Sequence, residues 1–194
     1  VAGDRLWCGA GAKLKQVAVE ARRHGMSGVE FLEGIPGSVG GALRMNAGAM
    51  SGTTFGAVES LRFMNRVGQI FEKPAREIPV EYRLCPLLKD HIALDVVFRC
   101  ALAPREEIEK WMDAFSKKRW ASQPAAPSAG CIFKNPQPLA AGRIVDELGL
   151  KGLRVGGAVV SQEHGNFIVN DGGATARDIL ELIELVKQRV RSGR

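Results

Sequence analysis

A cysteine and a cation share the segment PSAGCIFKNP at residues 127–136, where Cys131 stands among turn formers just ahead of Phe133, Lys134, Asn135 and Pro136. An inert thiol behaves as a small hydrophobe and belongs inside an apolar run, so this placement asks for a reason other than packing. A second chemical signal is GIPGSVGGALRMNAGAM at 34–50. Glycine-rich backbone presents consecutive N–H groups as a concave nest for phosphate. The segment matches neither the dinucleotide pattern GxGxxG nor the Walker pattern, which requires GK[ST]. Glycine density alone fits a structural turn equally well. His24, His91 and His164 carry the acid–base habit of imidazole, but none is assigned catalysis, and His164 is read as structural support. Cys8, Cys85, Cys100 and Cys131 form no CxxC pair and have no histidine at zinc-finger spacing, so four reduced thiols are expected, with no metal site.

Particular elements must position these groups. Residues 13–24 (KLKQVAVEARRH) place Leu14, Val17, Ala18 and Ala21 on one helical face, stopped by Gly25. From Gly34 to Gly56 small residues dominate and a loop is expected. Residues 58–72 read as two strands around a turn at 65–68, and residues 91–102 as another strand. Pro104 opens a helix with acidic residues at its start and Lys117, Lys118 and Arg119 at its end, matching the helix dipole. Composition changes there, which predicts one domain over 1–103 and another over 104–194. Residues 121–138 are expected to be extended or turn. A helix at 140–148, strands at 154–160 and 166–170, and a helix from Thr175 to about Arg191 complete an α+β second domain. Thr175 and Asp178 offer a capping box for that last helix.

The 194 residues, 45% apolar, are ample for a packed core. No apolar run reaches the roughly 18 residues of a membrane span, and the first residues lack signal-peptide character; the cytoplasm is the expected compartment, with no membrane partner. The formal charge of +6 suits an anionic ligand without selecting one. Aromatics are few and the basic clusters at 117–119 and 187–194 read as solvated surface, so no nucleic-acid partner is expected.

The stretch GMSGVEFLEGIPGSVGGALRMNAGAM at 25–50 closely resembles the segment shared by UDP-N-acetylenolpyruvoylglucosamine reductases, the MurB family of peptidoglycan synthesis. EYRLCPL at 81–87, PSAGCIFKNP at 127–136, AGRIVDELGLKGLRVGGAVVSQEHGNFIVN at 141–170 and ATARDILELIELV at 174–186 follow in the family's order. Together these matches cover nearly the whole chain.

The resemblance implies an α+β fold, with the larger part of an FAD-binding domain over 1–103 and a smaller substrate-binding domain over 104–194. It implies a flavoenzyme that uses FAD and NADPH to reduce the enolpyruvyl ether of UDP-N-acetylenolpyruvoylglucosamine to UDP-N-acetylmuramate. Hydride passes from NADPH through the flavin to C3, and C2 must then be protonated, which needs a cation at the carboxylate and a positioned acid. Arg83 matches the family's catalytic arginine. Cys131 matches the position where the family's GSxFKNP motif carries the proton-donating serine. Tyr82, Lys134 and Asn135 are the implied substrate contacts. Gly37, Gly40 and Gly41 are implied to meet the FAD pyrophosphate or ribose, with Gly34, Ile35, Pro36, Ser38, Asn46 and Gly48 of the same segment. The resemblance also implies that the family's N-terminal FAD subdomain, and the C-terminal glutamate that partners the serine, lie outside these 194 residues. A non-catalytic nucleotide-binding fragment, or a degenerate relative retaining the fold, is the alternative.

Overall fold

Alternate side chains of RLWCG point inward, Leu6 and Cys8 being buried, the period of two that defines a strand. The computed structural model, which describes residues 1–136 and 138–193, forms this strand as β1 (Arg5–Gly9). Helix α1 (Leu14–Arg23) follows and buries Leu14, Val17, Ala18 and Ala21, the face its spacing predicts. After the short β2 (Met26–Ser27) the chain enters the glycine-rich segment.

That segment is more ordered than its composition implies. Ser38 caps α2 (Val39–Arg44), accepting the Gly41 N–H at 3.4 Å, and Val39, Ala42 and Leu43 are buried. A hairpin of β3 (Gly48–Ala49) and β4 (Gly52–Thr53) and one helical turn, α3 (Thr54–Ala57), complete it. The loop expected over 34–56 therefore contains two helical pieces and a hairpin. Glycine costs about 1 kcal/mol in a helix relative to alanine, so propensity conceals α2; its cap and buried face form it. Met50 and Ser51, with φ of 49° and 68°, make the primed turn that suits a two-residue hairpin. A Cβ on Gly52 would lie 2.6 Å from Phe31 Cδ1, so only glycine lets the hairpin rest on that ring.

Strands β5 (Val58–Met64) and β6 (Ile70–Pro74) form the expected hairpin, and β7 (Ile92–Arg99) pairs with both β1 and β5. The sheet is antiparallel in the order β1-β7-β5-β6. Leu32, Leu43, Leu61, Val96 and Phe98 are wholly buried in its core. Strand β8 (Ala101–Leu102) pairs with β2, and α4 (Arg105–Ser122) begins after Pro104.

Two compact units result, Val1–Lys117 and Lys118–Arg194. The division falls within α4, later than the composition change at Pro104, because Ile108 and Met112 of α4 are buried in the first core. In the second unit, β9 (Ser128–Cys131) forms inside the stretch expected to be extended or turn. It is followed by α5 (Ala141–Glu147), β10 (Arg154–Val155), β11 (Ala158–Val160), β12 (Phe167–Asn170) and α6 (Ala176–Ser192). The antiparallel order is β10-β11-β12-β9, over a core of Val145, Ala158, Val160, Ile168, Leu182 and Val186. The predicted strand at 154–160 is split at Gly156 and Gly157. A Cβ on Gly157 would lie 2.5 Å from Ala174 N. The capping box of Thr175 and Asp178 is present. No helix among the described residues is long and apolar enough to cross a membrane.

Candidate active site

In the first unit the glycine-rich segment is bound to the turn that follows β1. Val39 N–H donates to Ala12 O at 2.9 Å, Gly40 N–H to Ala10 O at 2.8 Å, and Leu14 N–H to Gly37 O at 3.1 Å. Gly40 eases this approach, since a Cβ there would crowd Ala10, at 3.2 Å from its Cβ and 3.3 Å from its O. The N–H groups of Val39, Gly40 and Gly41 are thus engaged within the chain, and the segment is not a nest of uncommitted donors. What it offers is bare backbone. Pro36, Gly37 and Gly41 are exposed, Gly37 has φ +132° with nothing near its missing Cβ, and a Cβ on Gly41 would meet only Ser38 Oγ, at 3.6 Å. Gly34, Ile35 and Ser38 are half-buried beside them.

Asn46 faces inward. It is 8% exposed, its backbone is left-handed at φ 39°, and its side chain bridges two other segments. Oδ1 accepts Phe55 N–H at 3.2 Å and Nδ2 donates to Glu81 O at 3.2 Å. Glu81 opens the turn that carries Tyr82 and Arg83, closed by Glu81 N–H to Leu84 O at 2.8 Å and Leu84 N–H to Glu81 O at 3.2 Å. Arg83 sits at φ 58°, a conformation in which the side chain of a non-glycine residue is strained and held by its surroundings. Its Nη2 donates to Gly48 O at 2.9 Å. The guanidinium carbon lies 5.2 Å from the centroid of the Tyr82 ring, within cation–π range. Asn46, Gly48, Tyr82 and Arg83 are therefore one constellation. The amide of Asn46 secures the turn, and the carbonyl of Gly48 and the ring of Tyr82 aim the cation.

In the second unit Cys131 ends β9 opposite Phe167 and is exposed, whereas Cys8, Cys85 and Cys100 are buried. Burial pushes the Cys8 and Cys100 thiols up to about 11 and raises Cys85 as well. Lys134 is exposed and borders a cavity of about 250 Å³ whose other walls include Phe133, Ile144, Val186 and Val190. Asn135 turns back into its own unit, where its Oδ1 accepts Ala141 N–H at 3.0 Å and supplies the cap that Ala140 cannot give α5. Asn166, which lies in the family-like segment at 141–170 but is given no role by that resemblance, is 3% exposed and bonds to the backbone of Phe133 through both ends of its amide. Among the described residues no three acidic, histidine or cysteine side chains cluster to hold a metal ion.

His164 is half-buried and supports this region from below. Its Nδ1 accepts Asn166 N–H at 3.1 Å, which puts the proton of the neutral ring on Nε2, and its ring centroid is 4.8 Å from that of Phe167. Desolvation, with Lys151 adding repulsion, depresses its pKa below the usual 6.5. The unfolded chain therefore takes up this proton more readily than the folded one. The stability contributed by neutral His164 is fully present above pH 6.5 and is lost as pH falls below it. Thermal unfolding scans between about pH 7.5 and 5 are expected to show a steeper loss of Tm for the wild type than for His164→Gln, whose amide oxygen does not titrate. Parallel curves would remove His164 from the account.

Residues 1–72 match the family model described as FAD binding domain, and residues 123–193 the one described as UDP-N-acetylenolpyruvoylglucosamine reductase, C-terminal domain. The chain is 40% identical over 192 residues to the UDP-N-acetylenolpyruvoylglucosamine reductase of Clostridium botulinum, with 98% of this chain and 63% of the relative covered. It is 42% identical over 192 residues to that of Bacillus velezensis, at 97% and 63% coverage. The crystal structure of UDP-N-acetylenolpyruvylglucosamine reductase (MurB) from Thermus caldophilus superposes with a TM-score of 0.89 at 43% identity, covering 97% of this chain and 70% of that one. The chain thus spans 63% of the length of these curated relatives.

Proposed function

The chain belongs to the MurB family of UDP-N-acetylenolpyruvoylglucosamine reductases, and from that premise we propose that it serves the NADPH-dependent, FAD-dependent reduction of UDP-N-acetylenolpyruvoylglucosamine to UDP-N-acetylmuramate, in the cytoplasm, as a step of peptidoglycan precursor synthesis. The observation that carries the proposal is the bond from Arg83 Nη2 to Gly48 O. It joins the one fixed cation of the EYRLCPL segment to the glycine-rich backbone that would receive a flavin.

The exposed backbone surface at Gly37 and Gly41, beside the compact ring of Pro36, fits the flat or phosphate-bearing parts of a dinucleotide, because neither glycine places a Cβ in the way. Gly34, Ile35, Ser38 and Gly40 hold that surface in shape, and Asn46 and Gly48 connect it to Arg83. When bound, FAD supplies hydride relay from NADPH to C3 of the enolpyruvyl ether. The protein's own part is electrostatic and protic. Arg83 holds the substrate carboxylate as electron density moves onto it from C2, a task its planar fork suits. Cys131 gives its Sγ proton to C2, and the thiolate is reprotonated from solvent. Lys134 offers charge to the substrate's phosphates, while the cap made by Asn135 sets where Lys134 begins. Tyr82 acts through Arg83.

Gly41 gives the cleanest test, since a Cβ there meets nothing closer than Ser38 Oγ, at 3.6 Å, and the position is exposed, so folding should tolerate a side chain. Gly41→Val is expected to keep the wild-type Tm within a few degrees while losing most of its flavin absorbance. A folded variant with normal flavin content would show that this surface does not meet the cofactor. The activity itself is read as NADPH consumption that requires the enolpyruvyl substrate, with UDP-N-acetylmuramate identified by mass. FAD-loaded protein that forms no product would overturn the proposal.

A further inference from the structure

The thiol assigned above to protonate C2 stands at the end of a short, exposed strand, and it needs a definite direction to be useful. β9 gives it little. The strand has four residues, Gly130 is left-handed at φ +73°, and the pairing with β12 is irregular between Phe167 and Val169. Immediately after Cys131, however, the chain is held at three points by one residue. Ile132 N–H donates to Asn166 O at 2.9 Å. Phe133 N–H donates to Asn166 Oδ1 at 2.8 Å, and Asn166 Nδ2 donates to Phe133 O at 2.8 Å. A side-chain amide here copies the donor–acceptor pair of a strand backbone, so Phe133 is fully bonded where the main chains diverge. The orientation of the amide is fixed by these partners, because a flipped group would set donor against donor and acceptor against acceptor.

Asn166 is itself secured from the far side. Its N–H donates to His164 Nδ1. The intervening Gly165 is pressed onto α5 so closely that a Cβ would lie 2.5 Å from Gly142 O, and a Cβ on Gly142 would lie 3.0 Å from His164 Cε1. Asn135 caps the same helix at Ala141. Both ends of the 131–135 segment are therefore referred to the first turn of α5.

We infer that Asn166 is a positioning residue for the proton-transfer step, fixing the backbone at 132–133 so that Cys131 is aimed at the substrate. The inference rests on the role proposed for Cys131. It makes Asn166 part of the catalytic apparatus at one remove, with His164 and Gly165 as its mount.

Asn166→Asp tests it with almost no change of shape. The ionised carboxylate still accepts from Phe133 N–H but faces the Phe133 carbonyl without a donor, whereas the protonated acid restores the donor–acceptor pair. At about pH 8 the amides of Ile132 and Phe133 are expected to exchange with solvent about tenfold faster than in the wild type, the size expected from one lost buried hydrogen bond, with α6 amides unchanged. The difference should close as pH falls toward about 5, with wild-type protein read at each pH. In the FAD-loaded protein, reoxidation by the enolpyruvyl substrate should slow about tenfold at pH 8 and recover on acidification, while reduction by NADPH is unaffected, since that half-reaction does not involve C2. Asn166→Ser, which reaches only one of the two Phe133 groups, gives the same exchange and half-reaction tests if the aspartate variant does not fold.

Unchanged exchange at 132–133 would overturn the clamp. Faster exchange with a wild-type rate of reoxidation, where Cys131→Ala is slow, would show that Asn166 is structural only. A Cys131→Ala variant that reoxidises at the parental rate would instead remove the role of Cys131, and with it the reason to position that residue.

Discussion

Cys131→Ala is expected to leave reduction of the flavin by NADPH nearly intact and to slow its reoxidation by the enolpyruvyl substrate by roughly a hundredfold to ten-thousandfold, the range for a lost general acid. The asymmetry is the informative part. Only the second half-reaction places charge on C2, so only that half needs a proton at that carbon. A thiol has a reference pKa of about 8.5, so at neutral pH it is mostly protonated yet parts with the proton far more readily than a hydroxyl. Cys131 is exposed at the end of β9 and not packed in either core, so its removal leaves no cavity and the fold should not respond. Cys131→Ser, with a hydroxyl of the same reach, should recover much of the rate. Rapid-mixing measurement of each half-reaction separates these outcomes. Parental reoxidation in the alanine variant would reduce Cys131 to a small surface residue.

The second large effect belongs to Arg83. Arg83→Ala should lower the rate of substrate-dependent reoxidation by about a hundredfold to a thousandfold, the cost of removing one preorganised charge from a developing anion. Arg83→Lys should fall between the two, because an ammonium keeps the charge but not the fork that spans a carboxylate. Both substitutions keep a β-carbon at φ 58°, so neither adds backbone strain, and Tm should move little. Equal rates for the alanine and lysine variants would mean that charge plays no part. Wild-type rates in both would mean that the Tyr82-Arg83 turn lies outside the reaction.

Periodic segments were legible in advance. The spacing of Leu14, Val17, Ala18 and Ala21 located α1, and Thr175 with Asp178 located the start of α6, because burial on one face and a local cap are both written in neighbouring residues. The glycine-rich segment was legible as chemistry but not as structure. Its helix depends on bonds to Ala10 and Ala12 and on burial of Val39, Ala42 and Leu43, which no local pattern records. The two asparagines of the predicted site hold a similar lesson. Asn46 and Asn135 were expected to face ligands, and the fold also gives their side-chain oxygens a structural task, accepting from Phe55 and Ala141; an amide is suited to either task, and spacing along the chain does not show the second. Asn166 was hidden for the same reason, since its partner lies 33 residues away. The split of the two compact units within α4 was likewise out of reach, because composition changes at Pro104 while packing does not.

The burial of three thiols also has a practical meaning. With Cys8 and Cys100 pushed up to about 11 and Cys85 enclosed, only about one part in ten thousand of the first two is thiolate at neutral pH, the form that reacts with maleimides and haloacetamides. Cys131 alone of the four is exposed. The native chain is thus already a single-site labelling reagent, able to carry a fluorophore or spin label at the edge of the second unit without any engineered cysteine, and to report ligand arrival there by a change in the label's mobility.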